Sequence, residues 1–132
     1  METRFRTDLI AWLRADATLA AALNAVEEES PVAASPPWLG IAASASADWS
    51  GKTHRGREVR IALELVERQE DPAALAATIA AIEHRIATLS PVQPGYRVVV
   101  TQFLRSRAER RPRSLRAVLL EYSFRLLANP EE

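Results

Sequence analysis

The sequence carries few side chains that could do chemistry. It has no cysteine and two histidines, His54 in a basic segment and His84 between Glu83 and Arg85. Two separated histidines without thiolates are a poor ligand set for zinc. The chain also lacks the spacings typical of metalloproteases, serine hydrolases, phosphate-binding loops and dinucleotide folds. We therefore expect no enzyme activity, no metal and no cofactor, and we interpret both histidines as solvated surface residues.

Arginine is the polar residue that the sequence distributes most unevenly. Seventeen basic residues balance seventeen acidic ones, and sixteen of the basic residues are arginine. Seven arginines against one acid, Glu109, fall between residues 97 and 116. A second basic cluster spans residues 52–60, with Glu58 as its acid. Guanidinium groups bind carboxylates and phosphates through paired hydrogen bonds, so both clusters are suited to an acidic partner.

The acidic residues concentrate elsewhere, at 27–29, 67, 70–71 and 131–132. Separate blocks of opposite charge let copies of one chain bind each other head to tail, in an arrangement that closes into a ring. The alternative is a small nucleic-acid-binding module that places the same arginines on phosphates. Single-strand binders stack bases on aromatic residues, and the basic loops lack these apart from Trp49. This favours protein partners.

We therefore predict that the two basic loops, residues 48–57 and 105–116, form interfaces. Trp49 either covers the edge of the core or anchors a partner, and the sequence leaves both alternatives open. Reversing the charges of Arg110, Arg111 and Arg113 together should impair assembly without unfolding the chain. The predicted interface residues are Trp49, Lys52, Arg55, Arg57, Arg105, Arg107, Arg110, Arg111 and Arg113.

Helical spacing of apolar residues predicts the elements that position these loops. Residues 4–26 form either one bent helix or two, with Trp12 facing the core. Asp71-Pro72 is typical of a helix start, because the carboxylate caps the first turn and proline fits its first position. The apolar residues that follow predict an amphipathic helix of about 18 residues. They are Leu75, Ile79, Ile82, Ile86 and Leu89.

Four further segments have the composition of β-strands, and a polar tip at residues 108–114 separates the last two. These segments are residues 38–45, 59–65, 96–107 and 115–127. The order α(α)ββαββ predicts a single α+β domain over residues 1–132, with a four-stranded, mostly antiparallel sheet and helices packed on one face. No segment approaches the roughly 18 apolar residues of a membrane helix, so we expect no membrane partner.

In this order of elements the chain resembles the tail completion, or tail terminator, proteins of long-tailed bacteriophages and of gene transfer agents. The resemblance covers nearly the whole chain and consists of patterns of hydrophobicity and length. Its parts are the opening helix with residues 13–23, the proline-led strand at 37–39, the segment 56–63, the helix at 71–86 and a final hairpin ending at 122–126.

The resemblance implies a structural virion protein without catalytic residues or cofactors. Proteins of this family form a homo-oligomeric ring, typically a hexamer, that caps the finished tail tube and docks it to a head-side connector or stopper protein. DNA passes through the lumen of such a ring without sequence-specific reading. The implied location is the head–tail junction of a virion or virus-like particle that assembles in the bacterial cytoplasm.

Overall fold

A computed structural model of the protein describes residues 1–31, 33–68 and 71–130. These residues form three helices and six strands. In chain order the elements are α1 (Glu2–Arg14), α2 (Ala17–Ala22), β1 (Ala25–Glu27), β2 (Trp38–Asp48), β3 (Gly56–Arg68), α3 (Pro72–Ala87), β4 (Val92–Gln93), β5 (Tyr96–Arg111) and β6 (Leu115–Ala128).

The strands form one sheet in the order β1-β2-β3-β6-β5-β4. The predicted number of four strands was wrong, because β1 and β4 extend the sheet by a short strand at each side. They have three and two residues, and an alternating pattern cannot be recognised over so short a stretch. The mixed α+β class and the mostly antiparallel pairing are confirmed, since only β1 and β2 pair in parallel among these strands.

The N-terminal segment forms two helices rather than one bent helix. The Asp16 carboxylate accepts a hydrogen bond from the Leu19 backbone N–H at 3.1 Å and so begins α2. The Asp71 carboxylate caps α3 in the same way, as the Asp-Pro pair predicted. The predicted helical segment, residues 4–26, is also too long at its end, because Ala25–Glu27 form β1.

The last two strands are longer than their composition suggested. Residues 108–111 belong to β5 rather than to a polar tip, so the turn contains only residues 112–114. Arg113 and Ser114 have φ angles of 65° and 60°, which a tight hairpin turn requires. An outer strand that is exposed on both faces can be polar throughout, which is why its sequence looks like a loop. The first loop is likewise reduced to residues 49–55.

One face of the sheet packs on the helices and forms the core. Phe5, Leu9 and Leu13 of α1 and Ile82 and Ile86 of α3 are buried against alternate residues of β3 and β6. The strand residues on this face are Val59, Ile61, Leu63, Leu65, Val118, Leu120, Tyr122, Phe124 and Leu126. The strands predicted at residues 59–65 and 115–127 are therefore confirmed, and every second residue along them meets the helices because successive side chains of a strand point to opposite faces.

A reciprocal contact fastens α1 to α3. The indole N–H of Trp12 donates to the Arg85 carbonyl oxygen at 2.8 Å, and Nε of Arg85 donates to the Trp12 carbonyl oxygen at 2.8 Å. The guanidinium carbon of Arg85 also lies 3.6 Å from the centroid of the Trp12 ring, which is cation–π geometry. Trp12 therefore has the structural position that the helical spacing predicted.

Both tyrosines of the chain are buried in this core. The Tyr96 hydroxyl donates to a carboxylate oxygen of Asp8 at 2.6 Å. Burial raises the pKa of both phenols, that of Tyr122 to about 12, and the bond to Asp8 adds to the effect on Tyr96. The folded protein therefore keeps both protons at a pH where free phenols ionise, near 10.

We expect the free energy of unfolding to fall as the pH rises above 10. The unfolded chain releases its phenolic protons near pH 10 and the folded chain does not, so stability present below pH 10 is lost by up to about 1.4 kcal/mol per pH unit for each tyrosine. Lys52 is the one lysine of the chain, so few other groups titrate there. Urea unfolding between pH 8 and about pH 11.5 measures this slope, avoiding arginine ionisation. A slope that Tyr122→Phe leaves unchanged would contradict the prediction for that residue.

Candidate interaction surfaces

The two basic loops lie at opposite ends of the sheet. β3 and β6 pair along their whole length, with Gly56 beside Leu127 and Arg68 beside Leu115. The loop at residues 49–55 precedes Gly56, whereas the turn at residues 112–114 precedes Leu115. A strand of 13 residues spans about 40 Å. The predicted interface residues therefore form no single site, and we name the two regions the loop end (residues 49–55) and the hairpin end (residues 110–114).

The loop end presents accessible positive charge. Lys52 and Arg55 are exposed and form no ion pair with any described residue. They line a cleft of about 650 Å³ between this loop and residues 128–130. Trp49 is half-buried beside them, with its backbone N–H bonded to the Gly56 carbonyl at 3.0 Å and its ring 5.3 Å from the Arg125 guanidinium. The assignment of Trp49 as a partner anchor stays a prediction.

Arg57 lies next to this loop, within β3. It is exposed and pairs in register with Asp48 of β2. A hydrogen bond with Ser46 is the main cause that lowers the pKa of the Glu2 carboxyl, and the positive charge of Arg57 acts in the same direction. The charge of Arg57 is thus the smallest of several causes that favour the ionised carboxylate of Glu2, after the hydrogen bonds of Ser46 and Ser44 and the charge of Arg6.

Two arginines of β5 are paired with Glu121, an acid that is distant from them in sequence. Nε of Arg105 lies 2.8 Å from Glu121 of β6, and Arg107 lies 3.8 Å from Glu121 and 3.9 Å from Glu109. The excess of arginine between residues 97 and 116 is thus smaller in space than in sequence, because β6 supplies a carboxylate from outside that range. Exposed pairs of this kind contribute little to stability, but they neutralise the surface.

Arg111 makes the strongest contacts of the predicted set. Its Nη2 lies 2.7 Å from a Glu64 oxygen and 2.6 Å from a Glu109 oxygen. These hydrogen bonds, the one to Glu109 first, raise the pKa of the guanidinium. The Glu64 side chain is only 9% exposed, so Arg111 is the partner that makes its burial tolerable. The expectation that Arg111 can be reversed without affecting the fold is therefore not supported by its contacts.

The hairpin end keeps two arginines that are available to a partner. Arg110 and Arg113 are exposed, and neither forms an ion pair with another residue in the described part of the chain. Arg110 sits beside Arg116, whose Nε is bound to Glu67 at 2.6 Å. The remaining acids of the predicted blocks, Glu70, Glu131 and Glu132, lie outside the described residues.

The described residues hold no cluster of metal-binding side chains and no helix suited to crossing a membrane. Within residues 1–31, 33–68 and 71–130, no group of three metal-binding side chains is close enough to hold a metal ion. His54 and His84 are both exposed. No helix in these ranges is long and apolar enough to cross a membrane.

The match that decides the family of this chain covers both the loop end and the hairpin end. A family model, described as tail completion protein gp17, matches residues 7–127, from within α1 to the residue of β6 before Ala128. The chain belongs to this family. The resemblance inferred from the sequence is confirmed, and the chain is a structural tail protein of phage-type virions rather than a member of an enzyme family.

The fold of this tail completion family member also occurs in a solved structure. A chain of the "Virion of native gene transfer agent (GTA) particle" superposes with a TM-score of 0.78 at 24% identity. The match covers 93% of this chain and 94% of that chain. At this identity the similarity shows a shared fold. No curated protein matches the sequence.

Sequence reasoning missed one further surface of this tail completion protein. The sheet face that points away from the helices, which we call the polar face, carries charged residues at alternate positions. They are Glu58, Arg60, Glu64, Arg105, Arg107, Glu109, Arg111, Glu121 and Arg125. Ion pairs link neighbouring strands here, as between Arg125 and Glu58 at 3.2 Å. The available signal was the set of charged residues that alternate with the apolar positions: Glu58, Arg60 and Glu64 in β3, and Glu121 and Arg125 in β6.

Proposed function

We propose that the protein is a tail terminator: it caps the tail tube as a ring of identical subunits, a hexamer, and joins the tail to the head-side connector of a phage or gene transfer agent particle. Membership of the tail completion family supports a role in the tail. The observation that carries the specific role is the separation of two accessible basic surfaces at opposite ends of one sheet.

A protein that joins two assemblies needs two contact surfaces that face in opposite directions. The loop end offers Lys52 and Arg55, and the hairpin end offers Arg110 and Arg113, about 40 Å away along the strands. Both pairs are exposed and free of ion pairs with described residues. In a ring whose strands run along its axis, one end would meet the tail tube and the other the connector, each through acidic groups on the partner.

Capping of this kind needs no reaction. A tube stops growing when its end is covered by a ring that offers no new tube-type surface, and the opposite face of the ring then receives the head. DNA passes through the lumen without being read. The ion pairs of Arg105, Arg107 and Arg111 weigh against the alternative of a nucleic-acid-binding module, because arginines already neutralised by carboxylates release few counterions on meeting phosphate.

We expect that reversing the exposed basic pair at either end will block joining while leaving the subunit folded. Arg110→Glu with Arg113→Glu tests the hairpin end, and Lys52→Glu with Arg55→Glu tests the loop end. Exposed substitutions of this kind change stability within about 0.5 kcal/mol. Each reversal weakens every copy of the contact in the ring, so joined particles should fall by about tenfold or more. Electron microscopy of particles complemented with each variant counts joined and unjoined tails.

The control replaces Arg110, Arg113 and Arg55 by lysine. This keeps the positive charge and should preserve most joining. Melting temperatures of the purified variants show that loss of joining is not loss of folding. Normal numbers of joined particles with both reversed pairs would overturn the assignment of the two ends. Loss with one pair only would leave that end alone as a joining surface and refute the two-ended joint.

A further inference from the structure

The sheet has two long strand edges without a partner strand in the described part of the chain. β1 covers β2 only at Trp38–Gly40, and β4 covers β5 only at Tyr96–Arg97. The backbone at residues 41–48, the β2 edge, and at residues 99–111, the β5 edge, therefore presents unpaired N–H and C=O groups on opposite sides of the sheet. Long open edges are templates for strand addition.

We propose that the β5 edge of one copy pairs with the β2 edge of the next, so that the subunits of the ring share one continuous sheet. This inference rests on the proposed ring and says where its subunits touch. The contact is made by the two sides of the sheet, whereas the loop end and the hairpin end remain free for tail and head.

The strand directions fit this arrangement. β2 and β6 run one way and β3 and β5 the other, since the pairs β2–β3, β3–β6 and β5–β6 are all antiparallel. Neighbouring copies in a ring differ only by rotation about its axis. With strands along that axis, β5 of one copy runs opposite to β2 of the next. The antiparallel alternation of strand directions then continues from each subunit to the next.

Charge is complementary at matching heights of the two edges. The ladder joins Gly40 to Arg107 through Glu64 and Leu119, and it joins Ala43 to Arg105 through Ala62 and Glu121. Arg105 and Arg107 therefore lie at the same height as the start of the β2 edge. Copies in a closed ring have equal height, so these arginines meet that part of the neighbour.

The acidic run at residues 27–29 lies at that part of the β2 edge. Glu27 ends β1 beside Gly40, and Glu28 and Glu29 line a cleft with residues 41–44. Arg105 and Arg107, which share Glu121 in their own subunit, thus lie level with the acidic run of the next copy. In that run Glu27 is paired with Arg14 at 2.7 Å and Glu28 accepts a hydrogen bond from Thr7 at 3.0 Å, so the contact between copies would add Glu29 and the outer sides of these pairs. This is the pairing of separate charge blocks that the sequence predicted, placed at strand edges instead of loops.

β1 lies beside β2 at Trp38–Gly40 and so forms a step at the end of the open β2 edge. β5 carries a bulge close to the height of that step. Beyond Ile41, toward Gly40, the neighbour's β5 cannot stay in the plane of the sheet, because β1 occupies that position. Ile41 is level with Ser106. The register of β5 shifts between Phe103 and Arg105, and such bulges bend a strand. The bulge therefore falls just before the step, and Arg107, which is level with Gly40 and Glu27, lies just beyond the step.

A symmetric pairing of two β5 edges is disfavoured by the same charges. It would bring the arginine-rich strand against its own copy, and like charges across a strand pair destabilise it. The β2 edge between Ala42 and Ala47 contains only alanine and serine, so it offers no repulsion. Val99, Phe103 and Leu104 of the β5 edge are 41%, 44% and 39% exposed, and a neighbouring strand would cover part of this apolar surface.

Cysteine cross-linking in assembled particles tests the shared sheet, because the native chain has no cysteine. Gln102 and Ala45 are level and both project from the polar face. Within one subunit three strand spacings separate them, about 14 Å, which is too far for a disulfide. Gln102→Cys is combined in turn with Ala43→Cys, Ala45→Cys and Ala47→Cys, which samples neighbouring registers, and the particles are oxidised with copper phenanthroline.

We expect at least one pair to give a ladder of covalent oligomers on a non-reducing gel. Gln102→Cys with Ser46→Cys is the matched control, because Ser46 projects from the opposite face and should give no ladder. Joined particles that yield no ladder with any of the three pairs would overturn the shared sheet while leaving the terminator function intact. Particles that never incorporate the protein at the tail end would refute the terminator function itself.

Discussion

Phe5→Ala should lower the free energy of unfolding by about 3–5 kcal/mol, the range for removing a fully buried phenylalanine. The side chain is 1% exposed. Its ring lies 4.7 Å from that of Phe124 and 6.4 Å from that of Tyr96, measured between centroids. Alanine would leave a cavity where α1 meets β5 and β6. Domains of this size are stable by only about 5–15 kcal/mol, so the variant should be partly unfolded under mild conditions.

Urea unfolding followed by tryptophan fluorescence measures this loss. Phe103→Ala is the control, because Phe103 also contacts an aromatic ring, that of Tyr122 at 5.4 Å, but is 44% exposed. It should cost about 1 kcal/mol or less, since little apolar area leaves the core. Equal losses for the two variants would mean that α1 is not packed into the core as described.

Arg111→Glu should destabilise the subunit by about 2–3 kcal/mol. It removes the guanidinium from Glu64 and places a third carboxylate beside Glu64 and Glu109. Breaking a buried pair by removing one partner costs about 3–5 kcal/mol. We expect less than the full value because 35% of the Arg111 side chain is open to solvent, which screens the interaction. Thermal and urea unfolding of the isolated subunit measure the difference.

Arg113→Glu is the matched control, since it reverses a charge two residues further along the chain, at a side chain without a described ion pair. Its stability should stay within about 0.5 kcal/mol of the native protein. If Arg111→Glu were as stable as Arg113→Glu, the ion pair with Glu64 would not hold the hairpin to β3. The comparison also shows why the two arginines must be tested separately in assembly.

The elements that the sequence predicted well are long and strongly periodic. Asp71-Pro72 and the apolar residues after it define α3, because the cap and the helical spacing agree. The alternation at residues 115–127 likewise marks the core side of β6. By contrast, β1 is a strand only because Ala25–Glu27 finds a partner in β2, and no local pattern over three residues records that partner.

The sequence predicted which residues form the interaction surfaces, but it did not predict how those residues are arranged in space. Arg111 and Glu64 are 47 positions apart, and only the pairing of β3 with β6 and of β6 with β5 brings them together. The same pairing places the loop end and the hairpin end on opposite sides of the molecule. Register between strands that are distant in sequence depends on tertiary packing, so charge counts along the chain overstated the free positive charge of β5.

The polar face has a consequence for a passing polyanion. Arg60, Arg105, Arg107, Arg111 and Arg125 each have a carboxylate oxygen within 4 Å. These carboxylates act as built-in counterions, so the arginines have little to gain by exchanging them for phosphates. With this face turned to the lumen of the proposed ring, DNA would slide along a wall that is charged but already neutralised. Such a lining would provide low friction for transport rather than affinity.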